Sequence, residues 1–172
     1  MNQLVGTTPI LDFLSIVFAT YVPYLVGIFF VFLIILTKGK WKRVELFLIT
    51  LLSFIFAHGV VIKILNYFFY QERPFVANNF IPLVFHVETS SFPSGHATFF
   101  FLIAVITYLF INKKFSYWML ALAVLISLAR VYAGVHYLMD IFVGSLLGAV
   151  TPFIILWILP SSVKEFFKKE ND

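Results

Sequence analysis

Five stretches of this chain run for about the length of a membrane crossing with almost no charge: Ile10 to Leu36, Val44 to Tyr70, Gly95 to Ile111, Phe115 to Val135 and Tyr137 to Leu159. A hydrocarbon core about 30 Å thick needs about 20 apolar helical residues per crossing. Backbone N–H and C=O groups find no water there, so each stretch must satisfy its own as a helix. The expected fold is all-α, a polytopic membrane helix bundle with about five transmembrane helices. Pro23 interrupts the first stretch, but each half would be too short to cross, so a kink is expected. That stretch has no basic leader and is far longer than a signal-peptide core, so it reads as a retained span.

Of 172 residues, 62% are hydrophobic and 12% charged, and the mean hydropathy is +1.01. Soluble domains carry about 25% charged residues, so a water-soluble enzyme is excluded. The formal charge of +4 has no basic block among the aromatics, and no nucleic-acid partner is expected. Without cysteine there are no disulfides, thiolate nucleophiles or zinc–thiolate sites.

Nine of the 12 basic residues lie in three segments: Lys38, Lys40, Lys42 and Arg43; Lys113 and Lys114; Lys164, Lys168 and Lys169. Five spans put all three on one side, which the excess of Lys and Arg marks as cytoplasmic. Residues 71–94 and the turn near residue 136 then face outside. The chain reads as one integral-membrane domain, 1–172, with 161–172 a short, partly helical cytosolic tail. An apolar patch in the outer loop, Phe80 to Phe85, fits either the membrane interface or ordinary loop packing.

The remaining cations, Lys63, Arg73 and Arg130, sit at or near the outer helix ends with other polar groups. Ionisable residues at membrane depth are expensive, and a cluster of them marks a functional site. Pro93-Ser94-Gly95-His96 opens the third span. Ser94 can cap that helix, and its first-turn N–H groups can hold an anion; a plain helix start reads the same way. His136 and Asp140 stand four apart, on one face of a helix beginning near His136. Asp140 can fix the His136 tautomer and leave the other ring nitrogen as a nucleophile, although the spacing taken alone more often serves a structural hydrogen bond. Arg73 and Arg130 have forks suited to phosphate, or can snorkel to headgroups. His58 reads as a buried interhelical hydrogen bond far in depth from this cluster, and His86 as an exposed loop histidine. Gly144 and Gly148 suit close helix packing, within the chain or in a homodimer.

In order, these residues resemble the three-part signature of the type 2 phosphatidic acid phosphatase superfamily: KxxxxxxRP, PSGH and SRxxxxxHxxxD. The second part is intact, and Arg130, His136 and Asp140 reproduce the third, with Ala129 in place of its Ser. In the first part Asn66 stands where the family has Lys, and Lys63 lies one helical turn earlier. The family commonly has six spans, one more than counted here. The resemblance implies that His136 attacks phosphorus, that His96 protonates the leaving oxygen and then activates water, and that Asp140 orients His136. It implies a phosphate cradle of Arg73, Arg130, the Ser94 and Gly95 amides and either Lys63 or Asn66; Lys63 is expected to turn into the site. The scheme requires no cofactor and no metal.

The short chain is most similar to bacterial undecaprenyl-diphosphate phosphatases. The expected substrate is a membrane lipid phosphate, with phosphatidylglycerophosphate, phosphatidic acid and lipid A phosphate as alternatives. A non-catalytic lipid-phosphate-binding or transport protein is the reading from another class.

Overall fold

Pro23 does not break the first apolar stretch. In the computed structural model, which describes residues 5–171, helix α1 runs unbroken from Pro9 to Leu36. Proline lacks an N–H, and its ring crowds the carbonyl one turn back. The helix meets this by widening: Val17–Tyr21 is a π-turn, and Val22 N–H donates to Val17 O, five residues back. Helix α2, Lys40–Phe68, carries a second π-turn at Ile55–Val61. A single turn, α3 (Pro74–Ala77), lies in the outer loop. Then come α4 (Gly95–Phe110), α5 (Lys113–Tyr132), α6 (Leu138–Ile158) and α7 (Ser161–Asn171).

By length and composition α1, α2, α5 and α6 can each cross a membrane. Their outward side chains are large and apolar: Ile10, Phe13, Ile28, Phe32 and Trp157 are all more than half exposed. Such a surface is matched to hydrocarbon rather than water. The fifth expected span, α4, differs from the other four. Its 16 residues rise about 24 Å. It packs most extensively against α5 and α6, burying Leu102, Ile103 and Ile106 completely. Protein rather than lipid surrounds its core-facing side, so its length need not match the bilayer.

The α4–α6 contact is close because of two glycines. A Cβ on Gly144 would stand 2.6 Å from the carbonyl oxygen of Ser94, and one on Gly148 would collide with the carbonyl of Thr98. The small-residue stripe is therefore filled inside the chain, and it does not form the face of a dimer. Hydroxyls in this apolar interior turn back onto backbone: Thr98 donates to Ser94 O at 3.0 Å and Thr107 to Ile103 O at 2.7 Å.

At one end of the bundle, Trp41 meets Phe166 of α7 edge to face, with centroids 5.1 Å apart. Thr37 and Lys38 share a hollow there with Asn112. The three basic segments thus gather at one end, as the parity of the spans requires. The polar residues of the helix starts gather elsewhere, around the beginning of α4.

Candidate active site

The turn between α5 and α6 places the site. Gly134 adopts φ +81°, a left-handed conformation costly for other residues, and the Phe80 ring fills the space a Cβ would need. The outer loop clamps this turn: Phe75 N–H donates to Gly134 O and Leu83 N–H to Ala133 O, both at 3.2 Å. The apolar loop patch is part packed and part exposed. Phe80, Leu83 and Val84 pack with Phe75, Ala133 and Val135, whereas Ile81 and Phe85 project outward, 89% and 94% exposed.

His136 follows this turn and is almost wholly buried. Its Nδ1 lies 3.0 Å from the carbonyl oxygen of Ser91 and 3.4 Å from Asp140 Oδ2. Both partners accept, so Nδ1 holds the proton and Nε2 keeps its lone pair. Asp140 was expected to orient this ring; the Ser91 carbonyl is the nearer partner. Asp140 Oδ2 also accepts the Tyr137 N–H at 2.8 Å, capping α6, and Oδ1 is buried without a partner. Burial holds the His136 imidazole down to about 4, against the opposing hydrogen bond to Asp140.

Ser94 caps α4, its Oγ accepting from Ala97 N–H at 3.5 Å. Its own N–H donates to the carbonyl of Asp140 at 3.0 Å. This corrects the expectation that the Ser94 amide faces phosphate: that donor ties the second signature segment to the third. The first-turn amides of Gly95 and His96 have no acceptor within the helix and can serve an anion.

The two arginines are 5% and 4% exposed, so neither Arg73 nor Arg130 snorkels. Arg73 Nη1 donates to Val135 O at 2.8 Å and lies 3.5 Å from His136 Nε2; its Nη2 donates to Ser90 O at 3.1 Å. Arg130 Nη1 lies 3.3 Å from Ala19 O and 3.4 Å from His96 Nε2. A guanidinium only donates, so each one covers the lone pair of one histidine. The Nε of each arginine is buried without a partner. A phosphate taking these forks would uncover both ring nitrogens together.

Lys63 is exposed, and no hydrogen bond or ion pair of its side chain exists among the described residues. The expectation that it turns into the site is not met. Positions three apart on a helix differ by about 60° in direction, which here separates Lys63 from Asn66. Asn66 is half-buried, with Oδ1 buried and unpartnered. His58 makes the expected interhelical hydrogen bond, Nε2 donating to Gly95 O at 3.1 Å, with its ring stacked on Phe54. Its expected remoteness is wrong, because α4 starts beside it and both His58 and His96 line one cavity. His86 is half-buried rather than exposed, with its ring 6.1 Å from that of His136. Burial, then the charges of Arg73 and Arg130, hold it down to about 4. The cavity is about 750 Å³, with His86, His96 and Arg130 at its polar end and Tyr24, Phe54 and Phe99 among its apolar walls.

Residues 45–164, from α2 into α7, match the model of the PAP2 superfamily. The chain belongs to the PAP2 superfamily. Among curated PAP2-like relatives, it is 34% identical over 99 residues to the bacitracin transport permease protein BcrC of Bacillus licheniformis, covering 57% of this chain and 48% of that protein. It is 33% identical over 96 residues to the undecaprenyl-diphosphatase BcrC of Bacillus subtilis, covering 54% and 49%. The chain thus spans about half the length of the curated relatives it matches. Among solved structures, the crystal structure of Aquifex aeolicus LpxE superimposes with a TM-score of 0.71 at 30% identity, covering 90% of this chain and 89% of that one. The bundle is therefore a PAP2 membrane fold, and the three signature segments meet at one end of its central helix.

Proposed function

We propose that this protein is a membrane lipid phosphatase that works through a phosphohistidine, with undecaprenyl diphosphate as substrate and undecaprenyl phosphate as product. The observation that carries this reading is the pairing of His136 and His96 with one buried arginine each, the His96–Arg130 pair lining an apolar-walled cavity. A lipid phosphate has the same two-part chemistry. The sequence similarity to an undecaprenyl-diphosphatase supports the choice of lipid.

In this scheme the phosphate oxygens accept from Arg73, Arg130 and the Gly95 and His96 amides, freeing both ring nitrogens. Nε2 of His136 attacks phosphorus, and the bond from phosphorus to the leaving oxygen breaks. His96, whose freed Nε2 first takes up a proton from solvent, gives that proton to the leaving oxygen. It then takes a proton from the water that attacks the phosphohistidine, and inorganic phosphate departs. Ser91 O and Asp140 hold the His136 tautomer throughout and favour its positive charge after attack. Donors fixed around the equatorial oxygens supply the largest stabilisation. Asn66, with its free amide oxygen and its NH₂, can contribute a neutral hydrogen bond to the cradle. We place the site at the outer membrane face and the basic end, with α7, in the cytoplasm.

Release of inorganic phosphate from detergent-dispersed undecaprenyl diphosphate, phosphatidylglycerophosphate, phosphatidic acid and lipid A phosphate, with a chelator present, tests the reading. Turnover of the first above the rest is expected. No release from any of them would leave the non-catalytic binding protein.

A further inference from the structure

The first helix lies outside the matched residues 45–164, yet it reaches the site through one backbone atom. Ala19 is 3% exposed, and its carbonyl oxygen stands 3.3 Å from Arg130 Nη1, across 111 residues of sequence. In an α-helix that oxygen would accept from the N–H four residues on. The residue four on is Pro23, which has no N–H to give. The π-turn Val17–Tyr21 holds Ala19 where the chain widens ahead of the proline, and Ala19, Pro23 and Arg130 all line the same cavity.

We propose that Pro23 is a positioning residue for Arg130: by withholding an N–H from the Ala19 carbonyl, it leaves that oxygen to anchor the guanidinium. A buried guanidinium needs acceptors for its donors. Among the described residues Arg130 has two such contacts, both through Nη1: Ala19 O and the lone pair of His96. When substrate draws the fork away from His96, the Ala19 carbonyl is the contact that persists. It holds one amino group on the cavity wall and leaves Nε and Nη2 aimed at phosphate. A helix N–H at position 23 would compete for the same oxygen, and the guanidinium would lose its fixed direction. Helix α1 in this way helps assemble a cradle otherwise built from residues 73 to 140.

The inference rests on Arg130 binding the substrate phosphate. Its test is a double-mutant cycle with Pro23→Ala and Arg130→Lys, read as kcat/KM on the wild type's best lipid phosphate, as inhibition by inorganic phosphate and as thermal unfolding in detergent. Pro23→Ala restores the N–H and is expected to lower kcat/KM about tenfold, to weaken phosphate inhibition, and to unfold no lower than wild type, because a helix hydrogen bond is regained. In the Arg130→Lys background the same change is expected to cost less than about twofold, since a partner already lost cannot be lost again. Pro23→Gly, which restores the same N–H, should repeat the result. Wild-type kinetics in Pro23→Ala would overturn the proposal. So would an equal fractional loss in both backgrounds, or a variant that does not fold, since either makes the proline structural only. A wild type without turnover on any lipid phosphate would instead sink the phosphatase reading. In that case the rise in unfolding temperature that inorganic phosphate gives wild type and Pro23→Ala decides the role of Pro23, an equal rise in both overturning it.

Discussion

The Nδ1 of His136 is closer to the carbonyl oxygen of Ser91, at 3.0 Å, than to the carboxylate of Asp140, at 3.4 Å. A carbonyl can only accept, so Ser91 keeps the proton on Nδ1 whatever stands at position 140. For Asp140→Asn, kcat is expected to fall about 10²-fold, from lost stabilisation of the imidazolium. A fall near 10⁴-fold is the mark of a reversed tautomer. Turnover of the purified variant decides between them, and the larger loss would mean that Ser91 does not hold the ring.

The proposed scheme gives the two histidines separable tasks. His136→Ala should abolish phosphate release and the acid-labile phosphoenzyme trapped with labelled substrate, while insertion into the membrane is unchanged. His96→Ala should still form the phosphoenzyme from a substrate with a good leaving group, because that first step no longer needs an acid. Equal loss on good and poor leaving groups would remove His96 from the acid role.

Burial lowers the His136 pKa from 6.5 to about 4. In the proposed scheme the neutral ring is the nucleophile, so the acid limb of kcat/KM should lie well below 6.5, and a limb at 6.5 would show a ring as hydrated as a free histidine. The sign for stability follows the same cause. Protonation is harder in the folded state, so this contribution is full above 6.5 and is lost as pH falls from there towards about 4. Unfolding in detergent across that window, with His136→Ala as reference, measures it.

At the altered first signature segment, Lys63 faces outward and Asn66 inward. Lys63→Met is expected to change kcat/KM by less than about twofold, because an exposed ammonium outside the site stabilises little. Asn66→Lys, which restores the cation of the signature, should tighten inhibition by inorganic phosphate. A strong loss in Lys63→Met would show that the lysine swings inward when substrate binds.

The proposed orientation puts the basic end in the cytoplasm and the site outside. A membrane-impermeant thiol reagent on intact cells should label a cysteine at Asn79 and miss one at Lys40. The reverse labelling would place the reaction in the cytoplasmic leaflet.

Much of this protein is legible in its sequence because the bilayer allows few alternatives. Long apolar runs must be helices, nine clustered cations set the parity of the crossings, and Ser94, His96, Arg130, His136 and Asp140 stand at spacings that helix geometry turns into one site. What escaped were partners without a residue signature and directions that depend on helix phase. The carbonyls of Ser91 and Ala19 and the amide of Ser94 are backbone atoms, identical in every residue, and only folding reveals which of them meets a side chain. The outward turn of Lys63 and the nearness of His58 to Gly95 depend on the π-turn Ile55–Val61 and on where the short α4 begins. One extra residue in a helical turn rotates all that follows by about 100°. The sequence alone thus determined the membrane bundle and the identities of its reactive groups. The tertiary structure decided which backbone atoms orient them and which cations face the cavity, because both are set by packing between helices distant in the chain.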